Sequence, residues 1–266
     1  MIKAERQQEI LYLLNAGGVV GVNDLAERFG ISALTVRRDL VDLQAQGLLS
    51  RTHGGAILDA ALRAYGRYEG GSFDERATTH GLRKRRIADR AAKLVADGDS
   101  LLINAGSTTT EFARALRNHR NVHVVTNGLT VAMELAKNAT ASVHVLAGSL
   151  EKKKMATVFD PSGNALGDLR APCAFLGVVS LNTTEGPMML TAPEAAMTRA
   201  LVQVAFETTL LVDSSKFQAT AMYRVVTLNK ITRVITDDAL PEADRRRLEA
   251  AGVDVLLVAA DETEPA

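Results

Sequence analysis

The stretch "SLLINAGSTTTEFARAL" (residues 100–116) passes from a short apolar run, through a turn of small residues, into a run with helical spacing. That order predicts a strand end, a tight turn and a helix start. The turn holds Gly106 and four hydroxyls in succession, Ser107, Thr108, Thr109 and Thr110. Capping the helix needs only one Ser or Thr. Unpaired amides and the helix dipole at such a turn favour an anion, and Gly106 lets a ligand approach the backbone closely. A phosphate site is the expectation, and a capped helix behind a polar loop is the alternative. No Lys follows in the manner of a Walker loop.

Outward from this turn the same alternation repeats. Strand candidates are "SLLIN" (100–104), "VHVVT" (122–126), "SVHVLAG" (142–148), "CAFLGVV" (173–179), "TTLLVD" (208–213), "RVIT" (233–236) and "VDVLLV" (253–258). Helix candidates lie at 81–96, 109–118, 129–138, 163–170, 193–206 and 241–250. The strands are apolar throughout rather than alternating, the pattern of a mainly parallel sheet covered on both faces. The class is α/β, and ligands of such sheets sit beyond the carboxyl ends of the strands. Polar groups recur there: Thr126 and Asn127 in "VVTNGL", and Asp213 and Lys216 in "VDSSKF". With Asn104 and the 106–110 turn they suggest a pocket for a polyol phosphate, Lys216 serving as counter-charge. The basic run "RKRR" at 83–86 reads as the charged face of a solvated helix.

The amino-terminal 57 residues have another character. Ile10, Leu11, Leu13 and Leu14 form a helical stripe that Gly17-Gly18 ends; a short helix places Val22, Leu25, Ala26 and Phe29 inward. After a turn at Gly30-Ile31-Ser32, "ALTVRRDLVDLQAQ" makes a third helix with Ser32 as N-cap. This is the helix-turn-helix arrangement, and Gly54-Gly55 suggests a β-wing behind it. At ~100° per residue, Val36, Leu40 and Leu43 share one face, with Arg38 nearly opposite. Arg on an outward face suits guanine, and Thr suits a thymine methyl or a phosphate. Ser32, Thr35, Arg37, Arg38, Arg51 and His53 are the candidate DNA contacts. Residues 1–57 carry six Lys/Arg and six Asp/Glu, so affinity must come from local charge placement and from two heads acting together. Residues 58–72, ending in "GGS", read as a linker, and residues 73–266 as the larger domain.

The totals narrow the function further. Lys and Arg (31) balance Asp and Glu (31), and aromatics are only 4%, which excludes a wholly basic coat and weakens a single-strand stacking platform. Cys173 is the single cysteine, so no intrachain disulfide can form and a reducing, cytoplasmic setting is expected. The five histidines show no metal-ligand spacing, no cofactor is expected, and no apolar run reaches membrane-spanning length.

The residues "RQQEIL", "LAERFGIS" and "LTVRRDLVDLQAQGLLSRTHGGA" resemble the winged helix-turn-helix of the DeoR family of bacterial transcription regulators. "FDER", "NAGSTTT", "TNGL", "LVDSSKF" and "ITDD" match, in order, that family's sensor domain, which is of the ribose-5-phosphate-isomerase-like type. The resemblance implies sequence-specific binding to duplex operator DNA, a phosphorylated sugar or polyol as effector, and a homo-oligomer, dimer or tetramer. Repression relieved by ligand is the mode it implies. It adds Gly148 to the effector site, at Gly148-Ser149 where the family carries two glycines; Asn104 stands where the family carries Asp. Two rival functions compete with this one. A sugar-phosphate isomerase needs a carboxylate over the substrate carbons, and Val178–Asn182, where it is expected, holds none. An effector-independent DNA-binding module is the other.

Overall fold

The structure, a computed structural model, describes residues 3, 6–7, 9–10, 13–14, 19–45, 49–52, 54–57, 73–158, 166–217 and 221–260. The expected linker 58–72, His53 and Leu11 lie outside them. The chain divides into two compact units, Met1–Gly70 and Gly71–Ala266.

In the first unit, helical residues between 3 and 14 precede β1 (Val19–Gly21), α1 (Val22–Phe29), α2 (Ala33–Ala45), β2 (Ser50–Thr52) and β3 (Gly55–Ile57). α1 ends because Gly30 takes a left-handed conformation (φ 64°), its N–H bonding back to Ala26 and Glu27; only glycine does this without strain. Ile10, Leu14, Val22, Leu25, Val36, Leu40 and Leu43 meet in one core, the residues that helical spacing placed inward. The wing is three-stranded, in the order β1-β3-β2, because β1 adds to the expected hairpin. Val19 and Val20 sit beside Gly17-Gly18, so the sequence there showed a helix stop and hid the strand. Gly55 is required for this sheet: a Cβ on it would lie 1.9 Å from the carbonyl oxygen of Val20.

The second unit begins with α3 (Phe73–Thr78), α4 (Gly81–Ala92), β4 (Ser100–Ile103), α5 (Ser107–Ala115), β5 (His123–Thr126), α6 (Leu129–Leu135) and β6 (Ser142–Val145). There follow β7 (Ser149–Glu151), β8 (Ala156–Val158), β9 (Ala171–Leu176), β10 (Ser180–Asn182), β11 (Gly186–Met189), α7 (Ala192–Val204), β12 (Ala205–Leu211), β13 (Tyr223–Arg224), β14 (Arg233–Asp237), α8 (Glu242–Ala250) and β15 (Asp254–Val258). Seven strands form one sheet in the order β15-β14-β12-β9-β4-β5-β6, and every neighbouring pair is parallel. Its two faces carry separate apolar clusters. Ile87, Ala91, Phe112, Leu116 and Leu135 cover one; Leu181, Met197, Leu201 and Leu248 cover the other.

Two expectations change, and two short sheets are added. The helix expected at 163–170 is absent over the described part, where Leu166–Asp168 make only a turn. The short antiparallel pairs β7-β8 and β10-β11-β13 are too brief to announce themselves by alternation. The run 83–86 is not a solvated face: Lys84 is buried, Arg83 and Arg86 are half-buried, and only Arg85 is exposed.

Candidate functional site

The sheet grows in opposite directions from its middle. From β4 the chain adds β5 and β6 on one side, then returns to add β9, β12, β14 and β15 on the other. The order reverses between β4 and β9, so a crevice is expected beyond their carboxyl ends. The opening turn leaves β4 at that seam. Asn104, buried at its start, donates from Nδ2 to the Gly177 carbonyl and accepts the Gly177 N–H at Oδ1, both at 2.8 Å. Gly177 follows β9, so one side chain ties the two loops across the switch point.

Thr108, Thr109 and Thr110 are all buried, and two of the four hydroxyls are committed to hydrogen bonds. Thr109 Oγ1 donates to the Asn104 carbonyl at 2.8 Å, and Thr110 Oγ1 donates to that of Gly106 at 2.7 Å while pairing with Thr130. Ser107 and Thr108 make no such bond among the described residues. The N-cap of α5 is Gly106, which offers no side-chain acceptor, so the first amides of this helix keep their donors.

The neighbouring strand end is a scaffold. Thr126 is fully buried and its hydroxyl accepts the Gly128 N–H at 2.9 Å. Asn127 accepts the Ala105 N–H at 3.0 Å and donates to the Thr157 carbonyl at 3.0 Å. Gly128 lies so close to the turn that a Cβ would come within 2.9 Å of Ala105 Cα. Gly148 follows β6 in an exposed loop at φ 152°.

Beyond β12, Asp213 is fully buried. Its Oδ1 accepts the N–H and hydroxyl of Ser215, and its Oδ2 has no hydrogen-bond partner among the described residues. Burial pushes this carboxyl up, but Lys216, the Ser215 hydroxyl, Lys84 and His80 together hold it below the usual range. Lys84 donates to the carbonyls of Arg76 and Thr79. Burial lowers its ammonium to about 8, Asp213 opposing and Lys216 and Arg76 adding to the fall. Arg83 donates to Ser214 Oγ at 3.2 Å and lies 3.7 Å from Asp237, which is itself fully buried. His80, Arg83 and Lys84 were missed by sequence reading. One signal could have found Lys84: at helical spacing it stands three residues before Ile87 and four before Ala88, on the buried stripe.

Within the head, Ser32 Oγ accepts the Thr35 N–H at 3.2 Å and bonds its hydroxyl at 2.9 Å, so both side chains brace the start of α2. Arg37 and Arg38 are exposed and form no ion pair or hydrogen bond with the described residues, whereas Arg51 donates to Gln44 at 2.7 Å. Asp39 faces inward and pairs with Arg6 at 2.6 Å.

The family model described as the DeoR-like helix-turn-helix domain matches residues 6–61, and that described as the DeoR C terminal sensor domain matches residues 79–238. The chain belongs to the DeoR family. It is a DNA-binding transcription regulator. Among its DeoR-family relatives, the HTH-type transcriptional regulator GlpR of Haloferax volcanii is 31% identical over 96% of this chain and 98% of its own. The lactose phosphotransferase system repressor of Staphylococcus aureus is 32% identical over 89% and 93%, and the glycerol-3-phosphate regulon repressor of Escherichia coli 29% over 91% and 93%. Among solved structures, ribose 5-phosphate isomerase A of Methanocaldococcus jannaschii is similar over 52% of this chain and 54% of its own, at 20% identity and a TM-score of 0.38. No helix among the described residues is long and apolar enough to cross a membrane.

Proposed function

We propose that this DeoR-family regulator is a repressor of a carbohydrate operon, released from its operator by a phosphorylated sugar or polyol bound at the switch point of the seven-stranded sheet. The observation that carries the reading is the amino end of α5: a glycine N-cap with open amides and two hydroxyls that make no hydrogen bond among the described residues; Lys216 and Lys84 act on Asp213, beyond the carboxyl end of β12 in the same sheet. The phosphate sits on the amides and hydroxyls of residues 106–108. Lys216 and Lys84 supply counter-charge, and the orphan Asp213 Oδ2 accepts an effector hydroxyl. Asn104, Thr109, Thr110, Thr126 and Asn127 hold the loops in shape, and Gly148 borders the site. Two relatives are named for a glycerol-3-phosphate regulon and a lactose phosphotransferase system, which supports a phosphorylated effector.

Residues 1–57 form the DNA-binding head, 58–72 the linker and 73–266 the sensor. Arg37, Arg38, Arg51 and His53 contact operator DNA, with Ser32 and Thr35 bracing the reading helix. The head's balanced charge favours a homo-oligomer, dimer or tetramer, acting in the cytoplasm; an isolated 1–57 fragment should bind a half-site far more weakly than the full chain binds its operator. The effector is bound and not turned over, since residues 178–182 bring no carboxylate to the seam. A thermal-shift screen of sugars with and without their phosphates, followed by operator gel shifts and product analysis, tests this. Stabilisation by a phosphorylated sugar, DNA release and no product support it. Equal response to the dephosphorylated sugar defeats the phosphate site.

A further inference from the structure

The outer face of α2 carries more than its arginines. Leu34 is 57% exposed and Val41 45% exposed, and Arg37 and Arg38 lie between them. Positions 34, 37, 38 and 41 follow the i, i+3, i+4, i+7 spacing of a single helical face. The core of the head is already supplied from the opposite side by Val36, Leu40 and Leu43, so Leu34 is not needed there. Asp42, at the rim of the same face, is held by Lys3 at 2.7 Å and leaves the two guanidiniums without a counter-ion among the described residues. The face therefore offers two free forks flanked by two aliphatic side chains.

A surface complementary to that pattern must present paired acceptors and an isolated apolar point. The floor of the DNA major groove does so, with guanine O6 and N7 for arginine and the thymine C5-methyl for an apolar side chain. Leu34 is the second residue of α2, and the amino-terminal residues of a recognition helix are those that reach base edges. Val41 lies two turns further along, about 10 Å down the axis.

We propose that Leu34 reads DNA sequence directly, packing on a thymine C5-methyl beside the base pair engaged by Arg37 or Arg38. This rests on α2 being the reading helix. Leu34 thereby adds an A·T preference to a site that arginine alone would specify only at guanine.

The test uses the full-length protein and a duplex that it selects from a random library. Each thymine of that duplex is replaced singly by deoxyuridine, which pairs identically and lacks the methyl, and affinity is read by fluorescence anisotropy at fixed salt. Wild type should lose about three- to fivefold at one thymine per half-site, the contribution of one buried methyl. Leu34→Ala should bind the thymine and deoxyuridine duplexes equally, and should select a motif degenerate at that position. The proposal is overturned if the selected motif holds no thymine, if no replacement weakens the wild type, or if the loss persists in Leu34→Ala. Arg38→Ala and Arg37→Ala separate the two levels. If neither weakens binding, α2 is not the reading helix and both readings fall; if either does while deoxyuridine has no effect, only the role of Leu34 falls.

Discussion

Asn104 and Gly177 hold one another across the seam of the sheet through two reciprocal hydrogen bonds of 2.8 Å. The two residues are 73 positions apart in sequence, yet they place the phosphate-type turn against the end of β9. Asn104→Ala leaves the half-buried N–H and carbonyl of Gly177 without these partners and should cost about 1–3 kcal/mol in urea denaturation. Asn104→Asp keeps the acceptor for the Gly177 N–H but cannot donate when ionised. It should therefore be less stable than wild type at pH 7.

A second buried relationship supports the head. Arg6 Nε donates to Asp39 at 2.6 Å with both side chains almost wholly removed from water, and this hydrogen bond raises the guanidinium above its ordinary value. Asp39→Ala takes the carboxylate away from a buried cation and should destabilise the head by about 3–5 kcal/mol. The double variant Arg6→Met, Asp39→Leu should recover most of that loss. Thermal melts of the three proteins check it, and equal melting of Asp39→Ala and wild type would refute a stabilising pair.

Arg38 is exposed and forms no ion pair or hydrogen bond with the described residues. Arg38→Ala should leave the melting temperature unchanged while weakening specific operator binding by about 1–3 kcal/mol. Gel-shift titration at fixed salt measures this; unchanged affinity removes Arg38 from the base-reading set.

The four hydroxyls of the opening turn divide into two pairs with different expected behaviour. Thr109→Val and Thr110→Val each remove a buried hydrogen bond and should cost stability, roughly 1 kcal/mol apiece. Thr108→Val should leave stability nearly unchanged and, like Lys216→Ala, reduce effector affinity roughly ten- to a hundredfold. Calorimetry with the same sugar, phosphorylated and not, separates them. Unweakened binding in both Thr108→Val and Lys216→Ala would reduce the turn to a cap.

Lys84 supplies a pH dependence. Its ordinary value is 10.5 and its folded value is about 8. Between those limits the unfolded chain holds a proton that the folded chain has released, so stability contributed at this position rises with pH across that window. Below about pH 8 both states are protonated, and the full cost of burying the charge remains. The stability difference between wild type and Lys84→Met should accordingly shift in favour of wild type from pH 8 towards 10.5. A flat difference over that range would place the Lys84 pKa near its ordinary value.

Local chemistry made much of this protein legible in advance. Gly30 stops one helix and Ser32 starts the next; Val36, Leu40 and Leu43 mark an inner face; continuous apolar runs announce parallel strands. Each rests on neighbours within a few residues, where steric and hydrogen-bond rules act directly on the sequence. The turn at 106–110 was legible as a polar strand-to-helix junction for the same reason. What the sequence could not apportion was the work of each polar group. The number of hydroxyls suggested a surplus for a ligand, but Thr109 and Thr110 spend theirs on Asn104 and Gly106, and Thr126 spends its own on Gly128. Lys84 looked like one charge among four and is buried; Asp39, one residue after the outward Arg38, closes on Arg6. These assignments depend on which groups from distant segments arrive at the same point. Only the packed sheet, with its order reversed between β4 and β9, brings Asn104 to Gly177 and Asp213 into the field of Lys84. A buried polar group must find a partner or bear the cost of lacking one, and that choice is made in three dimensions.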